Sequence, residues 1–266
     1  MEKRGHVEGN PWTKQSLSNK DRDRRKRGSE LGETDKRPFT DDEVLKLLTG
    51  IPDPLLNDFC RVAALTGMRR DEMANLQVRH IQRDVIRVPG TKTAAAVRDV
   101  PLHPDLVTLV ARRCTGKTTD GFLFDELPEQ ANAARGRGAP ITQSFTRRRR
   151  TLGVDDTPQG ERQSRVDLHS WRRWFIRRAV RALEEGAQGF TAWTIADVVG
   201  HSNEDGPLAM TMGRYPGRAD HKALRACVEA VRLPAPKKAG VAASEGPNSV
   251  SLSEIDAASY EPEQPA

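Results

Sequence analysis

The apolar residues between positions 39 and 76 recur every three or four residues, which is the spacing of helices that bury one face. Thr40 is a suitable N-cap for the first of these helices, because three acidic residues follow it in the first turn. A second helix is predicted over about 54–66, where Gly67 supplies a stop signal, and a short helical turn follows over 70–76. This part of the chain is therefore predicted to be helical.

The spacing changes to alternation in the next segment, where residues 85–88 and 97–100 flank the small-residue sequence GTKTAAA. Two short alternating segments around such a turn predict a β-hairpin with Lys92 at its tip. Helical spacing then returns, and the further predicted helices cover 104–113, 141–154 with a start at Thr142 or Ser144, 170–186, 191–200 and 219–233. The predicted fold class is α+β, mainly α-helical with a small antiparallel β-sheet or hairpin.

The two ends of the chain differ in composition from the middle. Residues 1–37 carry mixed charge and few apolar side chains, so they are predicted to form a disordered arm that either touches DNA or is simply solvated. Residues 38–233 contain the periodic segments and form the predicted folded domain. Pro, Ala, Ser and Glu dominate residues 234–266, which predicts a disordered tail.

The chain of 266 residues carries a net charge of +6, with Arg far more frequent than Lys. A basic surplus suits a polyanion because each neutralised phosphate releases counterions, although ordinary solubility also accounts for a surplus of this size. The three cysteines are isolated, so neither a disulfide framework nor a zinc site is predicted. The sequence shows no apolar run that could span a membrane and no signal-peptide core at its start, so a cytoplasmic protein is expected.

Groups that could act on a phosphate occur in order along the folded region, in TGMRRDEM, GTKTAAAVRDVPLHP, LHSWRR, VVGHSN and MTMGRYPG. They supply Arg, Lys, His-x-x-Arg, His and one of the two tyrosines of the chain. Taken singly, each has an ordinary explanation, since hairpin lysines are usually solvated and most His and Arg pairs on a helix are surface pairs. Together they are the groups that covalent attack on a DNA phosphate requires.

This ordered set resembles the catalytic domain of the tyrosine recombinases, the phage-integrase family. TGMRRDEMANL resembles the family's TGxRxxE box, GTKTAAAVRDVPLHP its lysine-bearing hairpin, LHSWRRWF its HxLRH box, VVGHSN its LGH box and MGRYPG its nucleophile segment. The positions that match catalytic residues of the family are Arg69, Lys92, His169, Arg172, His201 and Tyr215, with Glu72 at a supporting acidic position. The chain departs from the pattern at Trp171 and Trp174, and in the longer spacing from His201 to Tyr215.

The resemblance implies roles for four of these residues. Arg69 and Arg172 would each place two N–H groups on the non-bridging oxygens of a phosphodiester, a planar contact that Lys cannot make. Tyr215 would attack the phosphorus atom and form a 3′-phosphotyrosyl bond. His169 would accept the proton of its phenol, whose ordinary pKa is about 10.

The remaining matched residues have lesser implied roles. Lys92 would protonate the departing 5′ oxygen, and His201 would donate a hydrogen bond to a phosphate oxygen. Glu72 would orient Arg69 or the surroundings of His169, while a plain ion pair within a helix is the alternative. The covalent bond would conserve the energy of the phosphodiester, so resealing needs no ATP. No metal or other cofactor is expected either, which agrees with the absence of a carboxylate cluster or Cys/His ligand spacing in the sequence.

Double-stranded DNA is the partner that the resemblance implies, with self-association as a tetramer on DNA and accessory DNA-bending proteins as further candidates. The helix over 219–233 would then pack into a neighbouring protomer, or else close its own core. The basic run at 147–150 would reach phosphates or remain solvated.

The function expected from the sequence is cleavage and rejoining of DNA at specific sites, as in the integration of a mobile element. Only about 37 polar residues precede the predicted catalytic domain, where the family has a core-binding domain, so a truncated integrase is the favoured interpretation. Two alternatives stay open, namely a non-catalytic DNA-binding remnant and a nicking and closing activity of the type IB topoisomerase kind.

Overall fold

The computed structural model describes residues 36–89, 97–128, 136–200 and 218–235. Most of the predicted arm and tail lies outside these ranges. Arg37, the last residue of the predicted arm, is described, and its guanidinium binds Glu43 at 2.8 Å and Asp156 at 2.5 Å. No helix in the described part of the chain has the length and apolar character needed to cross a bilayer.

The three N-terminal helices agree with the sequence prediction. They are α1 (Asp41–Gly50), α2 (Pro54–Thr66) and α3 (Arg70–Ala74). Thr40 caps α1 as predicted, because its hydroxyl accepts from the Glu43 amide while the Glu43 carboxylate accepts from the Thr40 amide. Gly67 ends α2 in the left-handed conformation at φ +62°, a region that a side chain disfavours.

The predicted hairpin is confirmed as part of a three-stranded antiparallel sheet in the order β1-β2-β3. The strands are β1 (Ile81–Gln82), β2 (Val85–Val88) and β3 (Arg98–Pro101), and Val88 pairs with Arg98 at the end nearest the turn. The two-residue strand β1 was not predicted, because alternation cannot be recognised over two residues. Lys92 lies outside the described residues.

Five further helices follow in the described ranges. They are α4 (Val107–Cys114), α5 (Ala139–Thr151), α6 (Ser170–Glu184), α7 (Ala192–Val199) and α8 (His221–Ala230). The predicted start of α5 at Thr142 or Ser144 was wrong. Pro140 occupies the first turn instead, where its missing N–H costs nothing, and the Gly138 amide donates to Asp71 at 3.3 Å.

The core lies where α6 packs against α2, α7 and α8. Trp171, Trp174 and Phe175 of α6 are all at most 1% exposed. The apolar face of α8 also packs into this core, and Cys227 and Val228 are fully buried within the same chain. The helix was predicted either to pack into a neighbouring protomer or to close its own core, and in the structure its apolar face closes the core of its own chain.

The basic run at 147–150 is divided by the structure. Arg149 is 3% exposed and donates to the Val154 carbonyl at 3.0 Å and to the Asp155 carboxylate, so it ties the end of α5 to the following loop. Arg147 and Arg150 are exposed. A helix of this period turns one position of every four or so toward the core, which is why one arginine of the run is buried.

Candidate active site

Three arginine side chains converge on the carboxyl end of α7. Arg98 Nε donates to the Val198 carbonyl at 2.8 Å, Arg172 Nη1 donates to the Val199 carbonyl, and Arg69 Nη2 donates to the Gly200 carbonyl at 2.9 Å. The last carbonyls of a helix have no partners within the helix, and positive charge is favourable at that end. Residues from β3, α6 and the start of α3 are thereby brought to one place.

Gly200 allows this convergence. It ends α7 at φ +67°, and a Cβ built on it would lie 2.8 Å from Arg98 Nη1. Both the backbone conformation and the close approach of the guanidinium exclude a side chain at this position.

Glu72 is the acidic member of the cluster and is 2% exposed. Its carboxylate accepts from Arg98 Nη1 at 3.0 Å and Nη2 at 2.8 Å, and from Arg69 Nη1 at 3.0 Å. It also accepts from the Arg69 amide at 2.7 Å. Burial alone would raise the pKa of Glu72, but the hydrogen bonds and charge of Arg98, followed by those of Arg69, hold that pKa below its usual range. Glu72 is therefore an ionised carboxylate shared by two arginines.

Arg172 is a buried cation whose hydrogen bonds within the described part of the chain all go to backbone carbonyl groups. It is 2% exposed, and its Nη1 donates to the carbonyls of Gly67, at 2.8 Å, and Val199. Its Nη2 is buried and has no hydrogen-bond partner among the described residues. Burial, followed by the charges of Arg69 and Arg98, lowers the pKa of Arg172 to about 9, so the guanidinium is still protonated at neutral pH.

Arg69 is the accessible cation of the cluster, with 44% of its side chain exposed. Its two terminal nitrogens are held by Glu72 and by the Gly200 carbonyl. Each of these nitrogens carries two hydrogens, so one N–H on each is left for a ligand. The sequence predicted that Arg69 and Arg172 would each place two N–H groups on a phosphate, and in the structure both guanidinium groups also bind protein carbonyls.

His169 directly precedes α6, three residues before Arg172. His169 is exposed, and no hydrogen bond joins its imidazole ring to another described residue. Desolvation by the surrounding protein, followed by the charges of Arg173, Arg172 and Arg69, lowers the pKa of His169 below its ordinary value. The imidazole is therefore neutral at pH 7 and able to accept a proton.

Lys92, His201 and Tyr215 lie outside the described residues, so the structure brings together Arg69, Glu72, His169 and Arg172 from the predicted set. Described residues on both sides of the segment 201–217 lie at the end of α7. Gly200 precedes that segment, and on its far side the Ala219 amide donates to the Asp197 carboxylate at 2.7 Å.

Arg98 was missed by the sequence analysis. Alternation was the signal that could have found it, because in β3 it occupies the same inward phase as Val100 and is 4% exposed. A charged residue at an inward strand position needs a buried partner, and that partner is Glu72.

Comparison with protein-family models found no match, and no curated protein sequence matches the chain at a significant level. Several solved structures are similar in fold. The XerA recombinase has 19% identity and a TM-score of 0.44, and the alignment covers 64% of this chain and 56% of that one. The integrase from mycobacterium phage Brujita has 18% identity and a TM-score of 0.45, over 74% of this chain and 58% of that one.

The lambda integrase catalytic core has 17% identity and a TM-score of 0.45, and the alignment covers 62% of this chain and 96% of that one. The chain spans just over half the length of the XerA recombinase and of the Brujita integrase. This chain is similar in fold to these solved recombinases and integrases.

Proposed function

We propose that this protein cleaves and rejoins DNA strands through a covalent phosphotyrosyl intermediate, as a tyrosine recombinase does. The observation that carries the proposal is the buried Arg172, which among the described residues has no carboxylate as a hydrogen-bond partner and no acceptor for Nη2. Such a charge is costly to bury, and an anion that reaches it would relieve the cost. A phosphodiester is the anion that the neighbouring groups suit best.

The local charge supports an anionic ligand. Within the cluster of four side chains, Arg69, Arg98 and Arg172 contribute three positive charges and Glu72 contributes one negative charge, which leaves these four groups with a balance of +2. Guanidinium groups in a poorly solvated site stabilise the charge that develops on phosphate oxygens in the transition state. Because Arg172 is 2% exposed, the groups over its Nη2 have to part before a phosphate oxygen can reach that nitrogen.

The chemical step is an in-line exchange of esters. In the proposal the Tyr215 oxygen attacks phosphorus and gives its proton to neutral His169, while the bond to the 5′ oxygen breaks and Lys92 protonates that oxygen. A 5′ hydroxyl that attacks the phosphotyrosyl bond in the reverse sense reseals a strand, and no ATP is consumed. His201 would donate to a phosphate oxygen, and Glu72 would orient Arg69.

Double-stranded DNA is the proposed substrate, and assembly of several copies on it belongs to the same proposal. Strand exchange between two duplexes needs more than one active site, whereas nicking and closing needs one. A chain that only binds DNA would need no proton acceptor beside the cationic cluster. The position of His169, three residues before Arg172 at the start of α6, supports the catalytic proposal over the DNA-binding remnant.

Covalent trapping tests the proposal, and the two tyrosines of the chain supply a matched pair of variants. Wild type, Tyr215→Phe and Tyr260→Phe would be incubated with nicked duplexes made from the DNA that flanks the gene, then separated on a denaturing gel. We expect a DNA-linked band for wild type and Tyr260→Phe, and none for Tyr215→Phe, which should still bind the duplex. A band that survives in Tyr215→Phe would refute the nucleophile, and no band for wild type would favour the DNA-binding remnant.

A further inference from the structure

We infer that Arg98 is a positioning residue for the proposed strand cleavage, which holds Glu72 and, through it, the guanidinium of Arg69. This inference rests on the proposed function. Arg98 itself is 4% exposed and so is not a group that would touch DNA.

All three nitrogens of the Arg98 guanidinium are engaged at the cluster. Nη1 and Nη2 donate to the two oxygens of Glu72 at 3.0 and 2.8 Å, and Nε donates to the Val198 carbonyl at 2.8 Å. This two-pronged contact fixes the plane of the carboxylate. The orientation of Glu72 is therefore set by Arg98 as well as by Arg69.

The consequence for Arg69 follows from the geometry of Glu72. One Glu72 oxygen accepts from Arg69 Nη1 at 3.0 Å, and the other accepts from the Arg69 amide at 2.7 Å. A long and half-exposed arginine has many rotamers, and these contacts select one of them. Without Arg98, Glu72 would keep Arg69 as its one cationic partner in the cluster and would be drawn toward it, which would turn the Arg69 N–H groups away from a ligand.

The same guanidinium joins three elements of the cluster. Arg98 lies on β3 just after the segment 90–96, which contains Lys92 in sequence, and it binds the start of α3 through Glu72. Its contact with Val198 holds the last turn of α7, two residues before Gly200. Loss of Arg98 would therefore disturb several groups of the site at once, more than the loss of one ion pair elsewhere.

A purely structural role is the competing explanation, and the chain offers a matched control. Arg113 is similarly buried, at 6%, and its guanidinium donates to Asp58 at 2.7 Å and to Glu126 at 2.9 Å, neither of which belongs to the cluster. Arg98→Lys and Arg113→Lys each keep the charge but lose the planar fork. Both should lower the Tm, and Arg98→Lys alone should affect the chemistry.

The measurement is the single-turnover rate of covalent attachment to the nicked duplex at saturating protein, with DNA Kd and Tm measured beside it. We expect Arg98→Lys to slow attachment by about 10- to 100-fold, the usual loss when an active group is held less well, with a Kd within about twofold of wild type. Arg113→Lys should attach at the wild-type rate. Normal attachment by folded Arg98→Lys, or equal slowing by Arg113→Lys, would overturn the inference.

A second variant covers the case in which Arg98→Lys does not fold. Glu72→Gln keeps the shape of the side chain but removes the charge that both arginines share. It should also slow attachment without weakening DNA binding, and in an Arg69→Lys background it should add little, because both changes act through Arg69. Full additivity of the two changes would refute the inference. Failure of wild type itself to attach would instead refute the proposed function.

Discussion

At the scale of single residues, Arg172 shows how a stable fold can hold a charge that it does not neutralise. The guanidinium is held by two carbonyl groups and is surrounded by the positive charges of Arg69 and Arg98. Its burial is offset by the packing of α6, where two tryptophans and Phe175 are buried. The Arg172 guanidinium is therefore a poorly neutralised cation at the place where the proposed chemistry needs to bind an anion.

The pKa of His169 leads to a prediction for the pH dependence of strand attachment. Because that pKa lies below its ordinary value of 6.5, the ring is neutral at pH 7. We expect the rate of attachment to be level from pH 7 to pH 8 with respect to this group, and to fall as the pH decreases through the lowered pKa. Attachment rates measured on the nicked duplex from pH 8 down to well below pH 6.5 check the expectation.

The sign for stability agrees with that for activity. A histidine whose pKa is lower in the folded state binds more protons when the chain is unfolded, so its effect destabilises the fold as the pH decreases below 6.5.

His169→Gln provides the control for the pH dependence of attachment. Its slow residual attachment should no longer decrease at acidic pH, so the acid limb of the rate profile should be lost. A wild-type acid limb that persists unchanged in His169→Gln would assign the titration to another group.

Sequence reasoning could propose Arg69, His169 and Arg172 as site residues because each lies in a short local motif. Alternation could have marked Arg98 as a buried residue, but it could not name the partners Glu72 and Val198, which lie 26 and 100 positions away along the chain. Local motifs carry the identity of groups, whereas the network that holds those groups is set by tertiary contacts.

At the scale of elements, the end of α7 is the point on which the site depends. The helix signal and its stop at Gly200 were both predictable from the sequence, because a glycine after an apolar periodic segment is a strong C-terminal signal. The start of α5 was not predictable in the same way. A tertiary contact from Gly138 to Asp71 and a proline in the first turn determine it, and no side chain caps that helix.

Gly200→Ala should disturb the site more than its backbone strain would suggest. The alanine Cβ would lie 2.8 Å from Arg98 Nη1. Residue 200 would also have to keep a φ of +67°, which a side chain disfavours. The strain alone costs about 1 kcal/mol. We expect an additional loss of stability and a marked decrease in the rate of attachment, measured by thermal denaturation and by the trapping assay.

Gly186→Ala is the matched control for this change. Gly186 follows the end of α6 at φ +94°, and a Cβ there meets nothing within 4 Å. It should lose about 1 kcal/mol of stability and attach to DNA at the wild-type rate. If the two variants lose stability equally and both attach normally, the contact between Gly200 and Arg98 has no part in the chemistry.

At the scale of the whole molecule, α8 closes the core from the C-terminal side. Its buried face packs against β3, α6 and α7 of the same chain. The amphipathic pattern of this helix was evident in the sequence, but a pattern shows only that a face is buried and does not say against what. The structure supplies the packing partners of the buried face, which are β3, α6 and α7.

Val228→Ala tests this arrangement of α8. Val228 is fully buried, so removing two carbons should destabilise the isolated chain by about 1–2 kcal/mol and lower its Tm. Lys222→Ala on the exposed side of the same helix should leave the Tm unchanged. A change in oligomeric state by sedimentation, with no change in Tm, would show instead that the helix serves contacts between protomers.

The buried bridge between Arg98 and Glu72 has a practical consequence at high ionic strength. Both side chains are at most 4% exposed, so dissolved salt screens their attraction poorly, whereas contacts between protein and DNA phosphates weaken steeply as salt is added. A wash with about 1 M salt, where the Debye length is about 3 Å, should therefore strip loosely held DNA and leave the cluster assembled. Covalent adducts could then be purified in working order, and returning them to dilute buffer with a strand bearing a 5′ hydroxyl would let the rejoining half-reaction be timed separately from cleavage.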